Sequence, residues 1–371
     1  MTSILITGGA GFIGSNFTQY WLDRHPEDQL VVLDALTYAG NLASLEGPLS
    51  NPRLTFVHGD IGTPGLAERL LREQEISVLV HFAAESHVDR SIAGPDPFLT
   101  TNILGTHELL KAARQVWLEE GRGGDRPLFH HVSTDEVYGS LRPDEPPFTE
   151  KSPYAPSSPY AASKAASDHL VSAYQRTYEL PVVITRCSNN YGPYQFPEKL
   201  IPLTIIHALE GKPLPLYGDG LQVRDWLYVV DHCRALDRVL SANAAGETYN
   251  IGGQAERTNL ELVRLLARLV DESFAGDPGL ARRFPRSLAS RPGGTASLIT
   301  HIADRPGHDR RYAISTGKIE RELGLEFPET LESGLRRTVA WYLQHEDWWR
   351  KVMDGRYREW MRKQYGSLVS F

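Results

Sequence analysis

The chain has 371 residues, enough for a large core divided between two lobes. Lys and Arg number 39 against 46 Asp and Glu, and a net charge of -7 offers no cationic field for DNA or RNA, although a local basic pocket for a diphosphate stays open. Two cysteines, Cys187 and Cys233, are too few for a disulfide framework, and no apolar run has the length of a membrane span; with a strand starting almost at residue 1, leaving no room for a cleaved leader, the expected location is cytoplasmic.

Ile4, Leu5 and Ile6 predict a first strand, and Gly8, Gly11 and Gly14 follow at G-x-x-G-x-x-G spacing, with Phe12 and Ile13 between the last two and a helix expected over 15–24. Strand, tight turn and helix start come in the order a dinucleotide pyrophosphate needs. Glycine lets the backbone turn sharply and lets phosphate approach the amides, while the helix end supplies positive potential. The spacing is a variant of the G-x-G-x-x-G device. A second strand over 30–34 ends in Asp34, twenty residues beyond Gly14, where a carboxylate accepts the ribose hydroxyls of NAD and repels the extra phosphate of NADP. NAD is therefore the expected cofactor. Segments 56–60 and 78–84 read as further strands ending at the same crevice. Ala83 and Ala84 are small enough for close passage beside the cofactor and Asp60 can meet the adenine edge; plain strand-end packing serves equally for each.

A helix over 66–74 leads to a strand over 76–82, and 83–97 is polar and rich in glycine and proline, as a site loop would be. Helical spacing resumes over 100–117, with Ile103, Leu104, Leu109, Leu110 and Ala113 on one broad face. The strand 128–133 ends in Ser133, Thr134, Asp135 and Glu136, a hydroxyl-bearing pair and two adjacent acids where an open parallel sheet usually presents its reacting groups. Two close carboxylates resist ionising together, so one can stay protonated and act as acid while the other acts as base; a surface acidic turn is the bland alternative. Tyr160 and Lys164, four apart on a helix, share a face. The ammonium is expected to lower the phenol pKa and hold a ribose hydroxyl, giving a base for the proton of a sugar alcohol as its hydride leaves for NAD.

Prolines structure the loop 141–159, followed by a helix over 160–178 and a strand over 181–186. Beyond it periodicity breaks, and a second lobe is expected from about Asn190. The expected fold is α/β: a Rossmann-type parallel sheet with helices on both faces in 1–189, with segments near 222–258 returning to it, and a smaller C-terminal α/β substrate-binding lobe in 190–371. The stretch 271–302, with four arginines among its glycines and prolines, reads as an exposed insertion. In the tail, Trp341, Trp348, Trp349, Tyr357 and Trp360 recur at helical spacings suited to packing on the second lobe, or to a partner surface.

Seven segments taken together resemble the dTDP-glucose 4,6-dehydratase family of the extended short-chain dehydrogenase/reductase superfamily. They are G-G-A-G-F-I-G-S-N at 8–16, H-F-A-A-E-S-H-V-D-R-S-I at 81–92, V-S-T-D-E-V-Y-G at 132–139, Y-A-A-S-K at 160–164, R-C-S-N-N-Y-G-P-Y-Q-F-P-E-K-L-I-P-L at 186–203, Y-G-D-G-L-Q-V-R-D-W-L-Y-V-V-D-H at 217–232 and D-R-P-G-H-D-R-R-Y-A-I at 304–314. The resemblance spans residues 2 to about 340, with 271–302 longer than the corresponding family connection.

The resemblance implies a tightly held, internally recycled NAD, a homodimer through the helices near 100–117 and 160–178, and conversion of dTDP-glucose to dTDP-4-dehydro-6-deoxy-glucose. It implies Tyr160 as base with Lys164 beside it, Thr134 steadying the substrate O4, Asp135 as acid to the C6 hydroxyl and Glu136 as base at C5. The implied cofactor positions are Gly8, Gly11, Phe12, Ile13, Gly14, Asp34, Asp60, Ile61, Ala83, Ala84, Ser86, Tyr160, Lys164 and Asn189. Those for the sugar nucleotide are Ser86, Thr134, Asn189, Glu198, Lys199, Leu200, Tyr217, Arg224, Asn259, Arg305 and His308; no metal is implied. Arg224 and Arg305 suit diphosphate oxygens, Lys199 can neutralise phosphate, and Tyr217 offers a ring to a pyrimidine. Three rival readings stay open: a dehydratase acting on another nucleotide, a hexose 4-epimerase with no use for Asp135 and Glu136, and an NAD-binding regulator with no use for any of the catalytic set.

Overall fold

A computed structural model describes residues 2–353 and 355–366. Short apolar runs separated by amphipathic helices form β1 (Ser3–Thr7), α1 (Phe12–Arg24), β2 (Gln29–Asp34), β3 (Leu54–His58), α2 (Leu66–Glu73), β4 (Val78–His81), α3 (Val88–Ala93), α4 (Asp96–Phe98), α5 (Thr106–Ala113), β5 (Leu128–Thr134), α6 (Pro159–Tyr178) and β6 (Val182–Cys187). The chain then builds β7 (Asn189–Tyr191), α7 (Leu200–Glu210), β8 (Leu214–Tyr217) and β9 (Val223–Tyr228), followed by α8 (Val229–Ser241) and β10 (Thr248–Ile251). It continues through β11 (Glu256–Thr258), α9 (Asn259–Gly276), α10 (Gly279–Arg283), β12 (Ile299–Ile302), α11 (Gly317–Leu323), α12 (Leu331–Gln344), α13 (Glu346–Val352) and α14 (Gly355–Tyr365).

Seven strands form one parallel sheet in the order β10-β6-β5-β4-β1-β2-β3. Alternation divides each strand between two buried faces: Ile4, Ile6, Leu30 and Val32 pack with Phe17, Trp21 and Leu236 of α1 and α8, while Leu5, Val31 and Leu33 pack with Leu70, Leu110 and Val171 of α2, α5 and α6. The strand order reverses between β1 and β4, which opens a crevice at their carboxyl ends. The second lobe holds a three-stranded sheet β11-β9-β7 and the parallel pair β12-β8, covered by α7, α9 and α12 around Leu209, Leu262, Leu335, Tyr342 and Trp349.

Several expectations change here. The return of 222–258 to the first sheet is divided: α8 packs on α1 and β10 pairs with β6, but β9 and β11 belong to the small sheet. The stretch 271–302 is half exposed, as expected of an insertion, but it is anchored. It completes α9, buries Leu280, Phe284 and Ala289 in the second core and ends in β12 paired along β8. Glycine and proline mark its turns, and the apolar residues between them anchor it. The loop 83–97 contains the single helical turns of α3, held by Asn102, which accepts from Glu85 N at 2.9 Å and donates to Glu85 O at 3.0 Å and to Ser163 Oγ at 2.8 Å. The broad apolar face expected over 103–113 is split, with Leu109, Leu110 and Ala113 buried and Leu104 59% exposed. Residues 99–105 and 114–119 wind as π-helix, whose wider turn shifts the phase of a 3.6-residue pattern. Trp348, Trp349 and Tyr357 are buried in the second core. Among the described residues no helix is long and apolar enough to cross a membrane.

Candidate active site

The turn after β1 is shaped by what its glycines exclude. Gly8 has φ +71°, and a Cβ there would lie 2.6 Å from Ala83 N; at Gly14 it would lie 2.3 Å from Gly8 O, so two glycines allow the turn, β4 and α1 to close on one another. At Gly11 a Cβ would meet only Gly8 O, at 3.2 Å. Gly11 is also the N-cap of α1, which begins at Phe12 rather than 15 and has no side chain capping its first amides, leaving them for an anion. Asp34 ends β2 nearly buried, accepting from Ala10 N at 2.9 Å and Leu36 N at 2.8 Å; burial raises its carboxyl pKa and those two amides oppose the rise.

The crevice is a cavity of about 310 Å³ lined by Gly8, Gly11, Phe12, Ile13, Gly14, Asp34, Asp60, Ile61, Ala83, Ala84, Ser86, Thr134, Asp135, Glu136, Tyr160, Lys164, Asn189, Glu198 and Lys199. Tyr38 and Phe196 line it as well and meet edge to face at 5.9 Å, one from the loop after β2 and the other from the second lobe. Neither was singled out in the sequence; the T-Y-A-G-N run directly after the strand-ending acid was the available signal. The residues fit a dinucleotide: a glycine cradle, an acid at the ribose position, and the buried Asn189 Oδ1 without a partner on the wall.

At the end of β5, Thr134 Oγ1 accepts from Glu136 N at 3.2 Å and donates to Asp135 Oδ1 at 3.3 Å. Asp135 is 2% exposed with Oδ2 unpartnered; burial, then the charges of Glu136 and Asp225, push its pKa well up and favour its protonated form. Burial also raises Glu136, but Arg305, Arg224 and Lys199 all favour its ionised form. Adjacent acids are thus held apart by their surroundings. Tyr160 and Lys164 project from the first turns of α6 into the same cavity. The expected acidification of the phenol is not what the fold provides. Lys164 Nζ donates to Val132 O at 2.9 Å, and burial followed by the Glu136 charge pushes Tyr160 well above its ordinary value, with only Thr134 opposing. Buried Lys164 is itself lowered to about 8.

Beside the cavity lies a cleft with more cations than it pairs. Glu198 accepts from Arg90 at 2.9 Å and lies 3.6 Å from His87, and Lys199 Nζ donates to Ser86 O at 3.1 Å. The Arg90 guanidinium is held between the rings of Tyr38 and Trp360, 3.9 and 4.3 Å from their centres. Arg305 pairs with Asp89 at 3.2 Å and Arg224 lies 4.3 Å over the Tyr312 ring; both influence Glu136. Tyr217 donates to Asp89 at 3.4 Å and its ring meets His308 edge to face at 6.1 Å. Leu200, Tyr217, Arg224, Asn259, Arg305 and His308 do not line the cofactor cavity; Leu200 packs on the second core, and Asn259 opens α9 with its N donating to Gln222 O at 3.0 Å. Among the described residues no group of His, Cys, Asp and Glu is arranged to hold a metal.

Fold and crevice together define an extended short-chain dehydrogenase/reductase. The family model described as GDP-mannose 4,6 dehydratase matches residues 5–338. The chain is 52% identical over 371 residues to a dTDP-glucose 4,6-dehydratase of Salmonella typhimurium, covering 98% of each chain. It superimposes with TM-score 0.82 and 49% identity on the dTDP-glucose 4,6-dehydratase DesIV of Streptomyces venezuelae with NAD and TYD bound, covering 95% of this chain and 100% of that one. The Bacillus anthracis dTDP-glucose 4,6-dehydratase in complex with NAD gives 0.81 and 45%, covering 95% and 100%. The chain belongs to the dTDP-glucose 4,6-dehydratase family and is an NAD-dependent lyase.

Proposed function

We infer that the chain converts dTDP-glucose to dTDP-4-dehydro-6-deoxy-glucose and water. The observation that carries this reading is the buried Asp135, its carboxyl pKa pushed up by burial, beside Glu136 and in the same cavity as Tyr160 and Lys164. An epimerase needs the second pair but not the first. NAD, which Gly8, Gly11, Gly14 and Asp34 would hold, would supply the hydride acceptor for C4 and the hydride donor for C6, and its oxidised form would put positive charge beside the phenol. That charge and the Lys164 ammonium would offset the upward push on the Tyr160 phenol, so that Tyr160 accepts the C4 hydroxyl proton while Thr134 steadies O4. The C4 ketone makes the C5 proton acidic, Glu136 removes it, and Asp135 gives its proton to the departing C6 hydroxyl, which leaves as water; as C6 accepts hydride a proton returns to C5 from Glu136, and the proton taken up by Tyr160 balances the one Asp135 gave. Lys199, Arg224 and Arg305 surround the diphosphate. The protein acts as a homodimer whose interface includes exposed Leu99, Leu104 and Tyr178.

Incubation with dTDP-glucose, with UDP-, GDP- and CDP-hexoses as comparators, is expected to give the 4-keto-6-deoxy product with no net NADH. Stoichiometric NADH would overturn the reading in favour of a plain dehydrogenase. Tyr160→Phe removes the proton acceptor and is expected to abolish cofactor reduction in a single turnover. Asp135→Asn and Glu136→Gln are expected to reduce the cofactor yet lose about 10² to 10⁴ in product formation. Product formation at wild-type rates in either acid variant would sink the assigned roles.

A further inference from the structure

Behind the reacting groups lies a chain of buried polar side chains for which the chemistry above has no use. Asp168, one turn beyond Lys164 on α6, is wholly buried, and its Oδ2 accepts from Arg186 Nε and from the Tyr154 hydroxyl, both at 3.0 Å. Its Oδ1 faces His131 Nε2 at 3.3 Å. Arg186, on β6, is 4% exposed, and each of its nitrogens has a different task. Nε reaches α6; one terminal nitrogen donates to the Tyr138 hydroxyl at 2.6 Å, and the other donates to the Tyr154 hydroxyl. Tyr138 stands two residues after Glu136 in the same short turn and donates onward to Asn250 Oδ1 of β10 at 2.9 Å. A single guanidinium therefore ties the helix bearing Tyr160 and Lys164 to the turn bearing Asp135 and Glu136.

Burial alone would raise the Asp168 carboxyl, but His131 and Arg186 overcome it and keep Asp168 well below the usual carboxylate range, ionised one turn from Lys164. A buried ion pair is a weak source of stability, because desolvation consumes most of the attraction. A planar fork with fixed donor directions is a strong source of geometry. We propose that Arg186 is a positioning residue that holds the oxidation pair Tyr160–Lys164 and the elimination pair Asp135–Glu136 in one register, with Asp168 and Tyr138 as its two arms. The proposal rests on the roles assigned to those four residues under the proposed function.

The two arms can be cut separately with little change of volume. Tyr138→Phe releases the turn, and is expected to slow product formation and solvent deuterium entry at C5 tenfold or more, with cofactor reduction within twofold of wild type, so that reduced cofactor accumulates. Asp168→Asn releases the helix, and is expected to slow cofactor reduction itself tenfold or more. Arg186→Lys keeps the charge without the fork and is expected to slow both. A role confined to stability would lower the melting temperature and move both half-reactions by one common factor, or neither; that result in Tyr138→Phe overturns the proposal, even if Asp168→Asn fails to fold. Both half-reactions are first measured in wild type, where a failure of the underlying functional reading would show before any variant is compared.

Discussion

Lys164 is an ammonium inside the protein, 4% exposed and lowered to about 8 by burial, with Asp168 pulling the other way. Its positive form is present below that pH and lost above it, whereas Tyr160 is shifted upward and titrates later. Cofactor reduction in a single turnover is therefore expected to fall on an alkaline limb near pH 8. Lys164→Arg keeps its charge at higher pH, so its slower reaction should lack that limb; a limb unchanged in this variant would assign it to another group. The cavity collects many site positions through fixed spacings, since three glycines on one turn and a Tyr–Lys pair on one helix share a direction whatever surrounds them. The electrostatic relation between Tyr160 and Lys164 was not legible in the same way. Spacing puts both on one face but does not reveal that Lys164 Nζ ends on Val132 O, or that the Glu136 charge acts on the phenol.

Among elements, the run from α4 to residue 119 shows how winding decides exposure. Two π-wound stretches flank α5 and turn Leu99 and Leu104 outward at 46% and 59% exposure, while Leu109 and Leu110 go to the sheet. An apolar pair on the surface of a helix is a natural seat for a second copy around a two-fold axis. Sedimentation at micromolar concentration is expected to give a dimer for wild type and a monomer for Leu104→Glu; a monomeric wild type would remove the interface. Long elements were legible because a full apolar stripe or a buried strand leaves several coincident signals. The six-residue α3 and five-residue α10 were not, being too short to show a repeat; α3 follows a segment tied to Asn102 at Glu85, and α10 is held by Leu280 in the second core.

For the whole molecule, a parallel sheet buried on both faces turns ordinary strand residues into titration sensors. His130 lies wholly inside, bonded through Nε2 to Thr185 Oγ1 at 3.0 Å, and burial lowers it to about 3. Its pKa is depressed on folding, so the unfolded chain binds the extra proton: stability is intact above about pH 6.5 and declines as pH falls toward the folded value, at up to about 1.4 kcal/mol per unit. Buried Asp135, shifted the other way, opposes this in the total, so the test is a difference. Between pH 7 and pH 5 the wild type is expected to lose about 2 kcal/mol relative to His130→Leu in denaturant unfolding. A gap that stays constant with pH would mean that His130 does not carry the effect. A parallel sheet with helices on both faces was implied by the alternation of strands and helices, but the division of 222–258 between lobes was not, because β9 and β10 are both short strands of mixed polarity and only pairing distinguishes them.

That division has a consequence for how the protein is made. On the ribosome, β6 emerges with one edge open, and its neighbour β10 follows only after β7, α7, β8, β9 and α8 have been synthesised. At roughly 5 to 20 residues per second the wait lasts several seconds. During that time an apolar strand, Val182–Cys187, offers unpaired backbone groups to any other nascent chain. A stop codon or protease cut near residue 189 would make that condition permanent, and a first lobe released there is expected to aggregate through the bare edge of β6.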